Sequence, residues 1–166
     1  KEKVGLIHKM KNITYKKLSE TQRKLLDAAE KAMKTAYNPY SHFLVGAALL
    51  SENGKTFTGS NVENAGYSST ICAERSAIVS ANAKGVRVFD KVAIIARGDT
   101  FDTKDITSPC GVCRQMLFEL AQISGKDLEV IMSSTKKDKI VIATIKELLP
   151  LGFGPKDIFV DVKKYR

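Results

Sequence analysis

Leu25, Leu26, Ala29, Met33 and Ala36 fall on one stripe of a 3.6-residue period, which predicts an amphipathic helix over 20–36. Ser19 and Gln22 form a capping box at its start, each satisfying an amide that the first turn leaves free. Asn38-Pro39 stops it. Residues 43–50 and 56–60 read as strands, joined at Glu52-Asn53-Gly54, a hairpin signal. A second helix is predicted over 71–83, closed by Gly85. Residues 91–96 form a short apolar strand carrying Val92, Ile94 and Ile95, and the polar stretch 98–108 reads as an exposed loop. A third helix starts near Cys110 and runs through Met116, Leu117 and Leu120. The last strands are 128–132 and 140–144, followed by a helical turn over 145–149 that Pro150 ends. The order is α-β-β-α-β-α-β-β. Strands separated by helices imply crossover connections, hence a partly parallel sheet with helices on its faces.

Composition narrows the class. A chain of 166 residues matches one domain and can bury roughly 68–70% of its unfolded surface. An apolar fraction of 43% and a mean hydropathy of -0.15 fit a soluble globular protein and exclude a disordered one. The longest apolar runs, 45–50 and 92–96, fall far short of the roughly 20 residues of a membrane span, so no membrane partner is expected. Residues 1–17 hold neither an apolar core nor a small-residue cleavage site, so they do not read as an intact secretory signal, and a cytoplasmic location is expected. We divide the chain into a basic N-terminal segment, 1–18, and a single domain, 19–166.

The formal charge of +9 raises the question of a nucleic-acid partner. Its distribution answers differently. Residues 1–36 hold ten Lys and Arg against four Asp and Glu, residues 37–125 eight against eight, and residues 126–166 nine against six. The basicity lies at the two ends and reads as a solvated, Lys-rich surface. No basic strand interleaved with aromatics appears, and nucleic acid is not expected as a partner.

There are 3 cysteines, an odd number that excludes a fully paired disulfide framework within the chain. All three fall in two short motifs, Cys72-Ala73-Glu74-Arg75 and Pro109-Cys110-Gly111-Val112-Cys113-Arg114. Both motifs sit at predicted helix N-termini, where the partial positive charge favours thiolates. Cys110 and Cys113 share a helix face. Three thiolates converging from two helix ends can bind Zn²⁺ and leave a fourth position open, as catalytic sites do. Three other readings stand beside this one. Cys110 and Cys113 alone could form a redox pair, leaving Cys72 idle. A closed structural zinc site would need a fourth ligand, with only His8 and His42 as imidazoles. All three could be buried core thiols. Glu74 reads either as a carboxylate at a helix N-terminus or as a proton acceptor beside metal-activated water. Arg75 or Arg114 could offset thiolate charge, and Arg75 is the choice.

Cys72-Ala73-Glu74 with Pro109-Cys110 and Cys113 matches the signature of the zinc nucleobase deaminases. The flanks are narrower still. Asn38-Pro39-Tyr40-Ser41-His42-Phe43, Val45-Gly46-Ala47-Ala48, Asn61-Val62-Glu63-Asn64-Ala65 and Ser108-Pro109-Cys110-Gly111 resemble the small, homotetrameric cytidine deaminases of pyrimidine salvage. Leu148-Leu149-Pro150 and Phe153-Gly154-Pro155 resemble their C-terminal end. The resemblance covers roughly 20–160. With the element order, it implies an α/β fold of three α/β/α layers around a central five-stranded mixed sheet.

The resemblance also implies the site. Cys72, Cys110 and Cys113 would bind one Zn²⁺ per subunit, Glu74 would be the catalytic proton shuttle, and Arg75 would balance the thiolate charge. For substrate, Asn61 and Glu63 would bind ribose hydroxyls and Phe43 would pack near sugar and base. The Ala73 backbone would hold the pyrimidine carbonyl oxygen, and the Ser108 carbonyl would meet the leaving ammonia. Tyr67 would line a shared site, and Phe153 would reach the base in a neighbouring subunit. The chain would be a homotetramer with shared active sites, deaminating the small-molecule nucleosides cytidine and 2′-deoxycytidine to the uridines. The alternatives are a blasticidin-type or polynucleotide cytosine deaminase on the same site, and a non-enzymatic zinc-binding module.

Overall fold

The computed structural model describes residues 10–166, in which six strands form one sheet ordered β1-β6-β5-β4-β2-β3. The strands are β1 (Lys11–Ile13), β2 (Phe43–Ser51), β3 (Thr56–Ser60), β4 (Phe89–Gly98), β5 (Glu129–Ser133) and β6 (Ile140–Thr144). The helices are α1 (Glu20–Met33), α2 (Ala73–Asn82), α3 (Gly111–Ser124) and the single turn α4 (Ile145–Leu148). The expected mixed sheet is present: β4 and β5 run parallel and the other neighbours antiparallel. Helix α3 makes the crossover between β4 and β5.

The strand count corrects the expectation of five. β1 adds a sixth, pairing Lys11 with Ile142 and Ile13 with Ile140 on the outer edge of β6. It is only three residues long and, of these, only Ile13 is partly buried, so it carries no two-residue alternation to read. Residues 1–9 of the basic segment lie outside the described residues. Smaller differences concern ends. α1 stops at Met33, and Thr35 and Ala36 continue in tighter turns, donating to the Ala32 and Met33 carbonyls at 3.0 and 3.2 Å. α2 begins at Ala73, because Ile71 is held in a bridge with Val62 through two 2.9 Å backbone bonds. β4 runs longer than 91–96 because β2 pairs along its whole length, from Phe43 opposite Gly98 to Ser51 opposite Phe89.

Alternation along the central strands builds the layers. Val92 and Ile94 on β4, with Val130 and Met132 on β5, pack with Ala77, Ile78 and Ala81 of α2 and Leu117 and Leu120 of α3. Ala93, Ile95 and Ile131 point to the opposite face and pack with Leu25, Leu26, Ala29 and Met33 of α1. These side chains are buried on both faces, so the strands read as continuous apolar runs. The capping box at Ser19 and Gln22 is present.

One glycine places the helix that matters most. A Cβ at Gly59 on β3 would lie 2.3 Å from the Ala77 amide nitrogen and 2.5 Å from the Ala73 carbonyl oxygen. Only a residue without a side chain lets α2 sit this close to the sheet. That approach sets the height of the N-terminus of α2, where Cys72 and Glu74 are found.

Candidate metal centre and substrate cleft

Cys72 is the N-cap of α2 and Cys110 the N-cap of α3. Cys113 lies one turn into α3 and is fully buried. The two helix N-termini therefore bring all three sulfurs together, each within 4.8 Å of the others. Cys72 Sγ and Cys110 Sγ are 3.9 Å apart. Disulfide sulfurs sit at roughly 2.05 Å, and all three thiols are free. Two thiolates each about 2.3 Å from a tetrahedral zinc stand about 3.8 Å apart. The donor set and its spacing fit a zinc ion.

The charge around the sulfurs fits as well. The Cys72 thiol is pulled down to about 5, first by a hydrogen bond from Cys113 and then by Arg75 and Cys110. Cys113 is pushed up as the donor in that pair, and by its burial. Three sulfurs this close share protons unless a cation stands among them. Arg75 Nη2 lies 3.8 Å from Cys72 Sγ and donates to the Thr70 carbonyl at 2.7 Å. Its Nε is buried and has no acceptor among the described residues. Arg114 turns away. It donates to the Pro109 carbonyl at 2.8 Å, the Leu148 carbonyl at 3.0 Å and Ser108 Oγ at 3.2 Å.

Glu74 sits in the first turn of α2 and is 4% exposed. Burial pushes its carboxyl above the ordinary range, and the Cys72 thiolate adds to this. Ala73, also fully buried, stands at the first position of the helix. The first bond α2 receives from its cap runs from Ser76 N–H to the Cys72 carbonyl at 3.0 Å, so the Ala73 amide is one of the free donors at a helix start.

A cleft of ≈ 360 Å³ is lined by Tyr40, Ser41, Glu63, Tyr67 and Thr70, and its link to the cysteines is Thr70, whose carbonyl accepts from Arg75. Glu63 is held from one side. Its carboxylate accepts from the Tyr40 amide at 2.9 Å, the Ser41 amide at 3.2 Å and the Ser41 hydroxyl. The Ser41 bond, with the two amides, holds its pKa below the usual carboxylate range. Tyr67 is exposed and meets Tyr40 edge-on, with centroids 5.9 Å apart. Asn61 is buried, accepting from the Val45 amide at 2.8 Å and donating to the Phe43 carbonyl at 2.9 Å. Phe43 is half-buried against Phe101, with centroids 6.3 Å apart. Ser108 is exposed and leads into Cys110 through Pro109. Phe153 lies elsewhere, on the α3 side. Its carbonyl accepts from Gln115 Nε2 at 2.8 Å, and the residue is 60% exposed. Tyr40, Ser41 and Thr70 line the cleft without a sequence-based role. The first two stand inside the 38–43 motif, which was the available signal.

Comparison with known proteins places this arrangement. The family model described as the cytidine and deoxycytidylate deaminase zinc-binding region matches residues 19–125. A cytidine deaminase of Sporosarcina psychrophila is 43% identical over 135 residues, covering 81% of this chain and 93% of that protein. One from Halalkalibacterium halodurans is 41% identical over 134 residues, covering 81% and 95%. The crystal structure of cytidine deaminase from Burkholderia pseudomallei superposes with a TM-score of 0.72 at 39% identity, covering 82% of this chain and all of that one. The three cysteines, the helix starts that carry them and the sheet behind them are accounted for together: the chain belongs to the cytidine and deoxycytidylate deaminase family.

Proposed function

We propose that the protein is a zinc-dependent enzyme that hydrolyses cytidine and 2′-deoxycytidine to uridine and 2′-deoxyuridine, releasing ammonia, in pyrimidine salvage. The observation that carries this is Glu74, a buried carboxylate on the same helix end as Cys72, beside a three-cysteine cluster that needs no fourth protein ligand. Cys72, Cys110 and Cys113 hold one zinc ion per subunit. The metal supplies Lewis acidity that makes water a nucleophile at neutral pH. Glu74 takes one proton from the attacking water and delivers it to N3 as C4 is attacked, then takes the second proton from the hydroxyl now on C4 and gives it to the departing amine as the C4–N bond breaks. Arg75 offsets charge on the sulfurs. The Ala73 amide receives the pyrimidine carbonyl oxygen, and the Ser108 carbonyl accepts from the leaving ammonia. Glu63 and the N–H that Asn61 leaves uncommitted bind sugar hydroxyls, with Phe43 and Tyr67 walling the base and sugar.

Phe153 acts in a neighbouring subunit of a homotetramer. Its exposure supports this reading, as does that of Val79, Val112, Leu151, Ile158 and Phe159, which leaves apolar surface for partner subunits. Residues 19–166 act as one domain, and the enzyme works in the cytoplasm. Among the described residues no helix is long and apolar enough to cross a membrane. The blasticidin-type, polynucleotide and non-enzymatic alternatives are not favoured.

Ammonia release from cytidine tests the reading directly. Glu74→Gln is expected to keep zinc, by metal analysis, and to lose about 10³-fold in turnover, within the range of a general acid–base group. A variant as active as the parent overturns the shuttle role.

A further inference from the structure

Asp99 follows the last residue of β4 and grips the turn 38–42 at three points. Its carboxylate accepts from Asn38 Nδ2 at 3.2 Å through one oxygen and from His42 Nδ1–H at 3.1 Å through the other. Its amide donates to the His42 carbonyl at 2.9 Å. The turn needs holding. His42 has a φ of 56°, in the left-handed region that costs an L-residue free energy, and its amide closes back onto the Asn38 carbonyl at 3.1 Å. The opposite side of the same turn presents the Tyr40 amide, the Ser41 amide and the Ser41 hydroxyl, the three donors on Glu63. Ser41 Oγ also accepts from the Phe43 amide at 3.1 Å, so the hydroxyl is locked in the direction of Glu63.

We propose that Asp99 is a positioning residue for Glu63: it fixes the strained turn whose donors aim the Glu63 carboxylate into the cleft, and so sets how tightly the sugar hydroxyls are bound. This rests on the reading of Glu63 as a sugar-hydroxyl contact. Among the described residues, the hydrogen bonds of the Asp99 side chain all go to this turn. Glu63 has acceptor capacity for more than the three donors it already meets, and that spare capacity is useful only if the carboxylate is held still.

The test compares cytidine with 2′,3′-dideoxycytidine, which lacks both hydroxyls. In Asp99→Ala, KM for cytidine is expected to rise roughly 3–10-fold, the factor one lost hydrogen bond carries. Its kcat, zinc content and KM for the dideoxynucleoside stay at parental values. His42→Gly, which keeps the left-handed turn and removes the imidazole bond, moves in the same direction by less. Glu63→Ala raises KM for cytidine selectively, and adding Asp99→Ala to it changes nothing more. A parental KM in Asp99→Ala, or an equal rise for both substrates, overturns the positioning role while a selective Glu63→Ala effect keeps the Glu63 reading. A Glu63→Ala enzyme that treats the two substrates in the parental ratio overturns both.

Discussion

Asn61 uses both ends of its amide on the backbone of β2 and is 6% exposed. Replacing it by Ala leaves the Val45 amide and the Phe43 carbonyl without these partners, and a buried unsatisfied group costs about 1–3 kcal/mol. Asn61→Ala is therefore expected to lower stability by that order in urea unfolding, besides raising KM. A variant with parental stability would show that water replaces both bonds. Cys110→Ala is expected to lose metal and turnover together, because two thiolates do not make the centre; a metal analysis showing full zinc contradicts this. The cysteines and Glu74 were legible because their chemistry is carried by residue type at short spacing. The hold of Ser41 on Glu63 and of Asp99 on the turn was not. These bonds run to residues 22 and 57 positions away, which folding alone brings near.

At the scale of elements, long periodic segments were readable and their ends were not. The stripe on α1 and the apolar runs of β2 and β4 reflect burial that repeats along the element. β1 is too short to repeat anything, and its place follows from the open edge of β6. β1 covers that edge. Removing residues 1–18 is expected to expose the backbone of β6 and to promote self-association, seen as larger species in light scattering. Residue 15 anchors the same region: the Tyr15 hydroxyl donates to Asp27 at 2.8 Å, and Lys137 Nζ bridges Asp27 and Glu30 at 2.6 and 2.8 Å. Burial raises the Asp27 pKa, but the bonds from Lys137 and Tyr15 outweigh it and leave it lowered. A depressed folded-state pKa stabilises above the unfolded value, near about 3.9 for Asp. Its contribution is lost as pH falls through the folded value. Lys137→Met should thus be less stable than the parent at pH 6, with the gap narrowing below about pH 4. Gly59→Ala should push α2 off β3 and lower zinc occupancy as well as melting temperature, since the added methyl meets backbone that cannot yield.

For the whole molecule, the proposed exchange of Phe153 between subunits has a direct consequence. Phe153→Ala and Glu74→Gln homotetramers should each be weak, while tetramers reassembled from a mixture regain sites that combine one intact Glu74 with one intact Phe153. Assay after mixing and reassembly reads this, and no gain would place Phe153 outside the site. The segregation of charge to the chain ends leaves the middle of the chain, which carries the cysteines and Glu74, near neutral. The two N-cap cysteines also act on the chain as a polymer. Cys72 and Cys110 are 38 positions apart, on two helices that otherwise share only the apolar core beneath them. A metal joining them closes that stretch as a removable cross-link, one that forms in a reducing compartment where a disulfide would not last. By the chain-entropy relation, a loop of this length is worth about 4 kcal/mol. Chelation should then speed amide hydrogen exchange first in the opening turns of α2 and α3, before the sheet responds, which makes metal supply a control on folding as well as on chemistry.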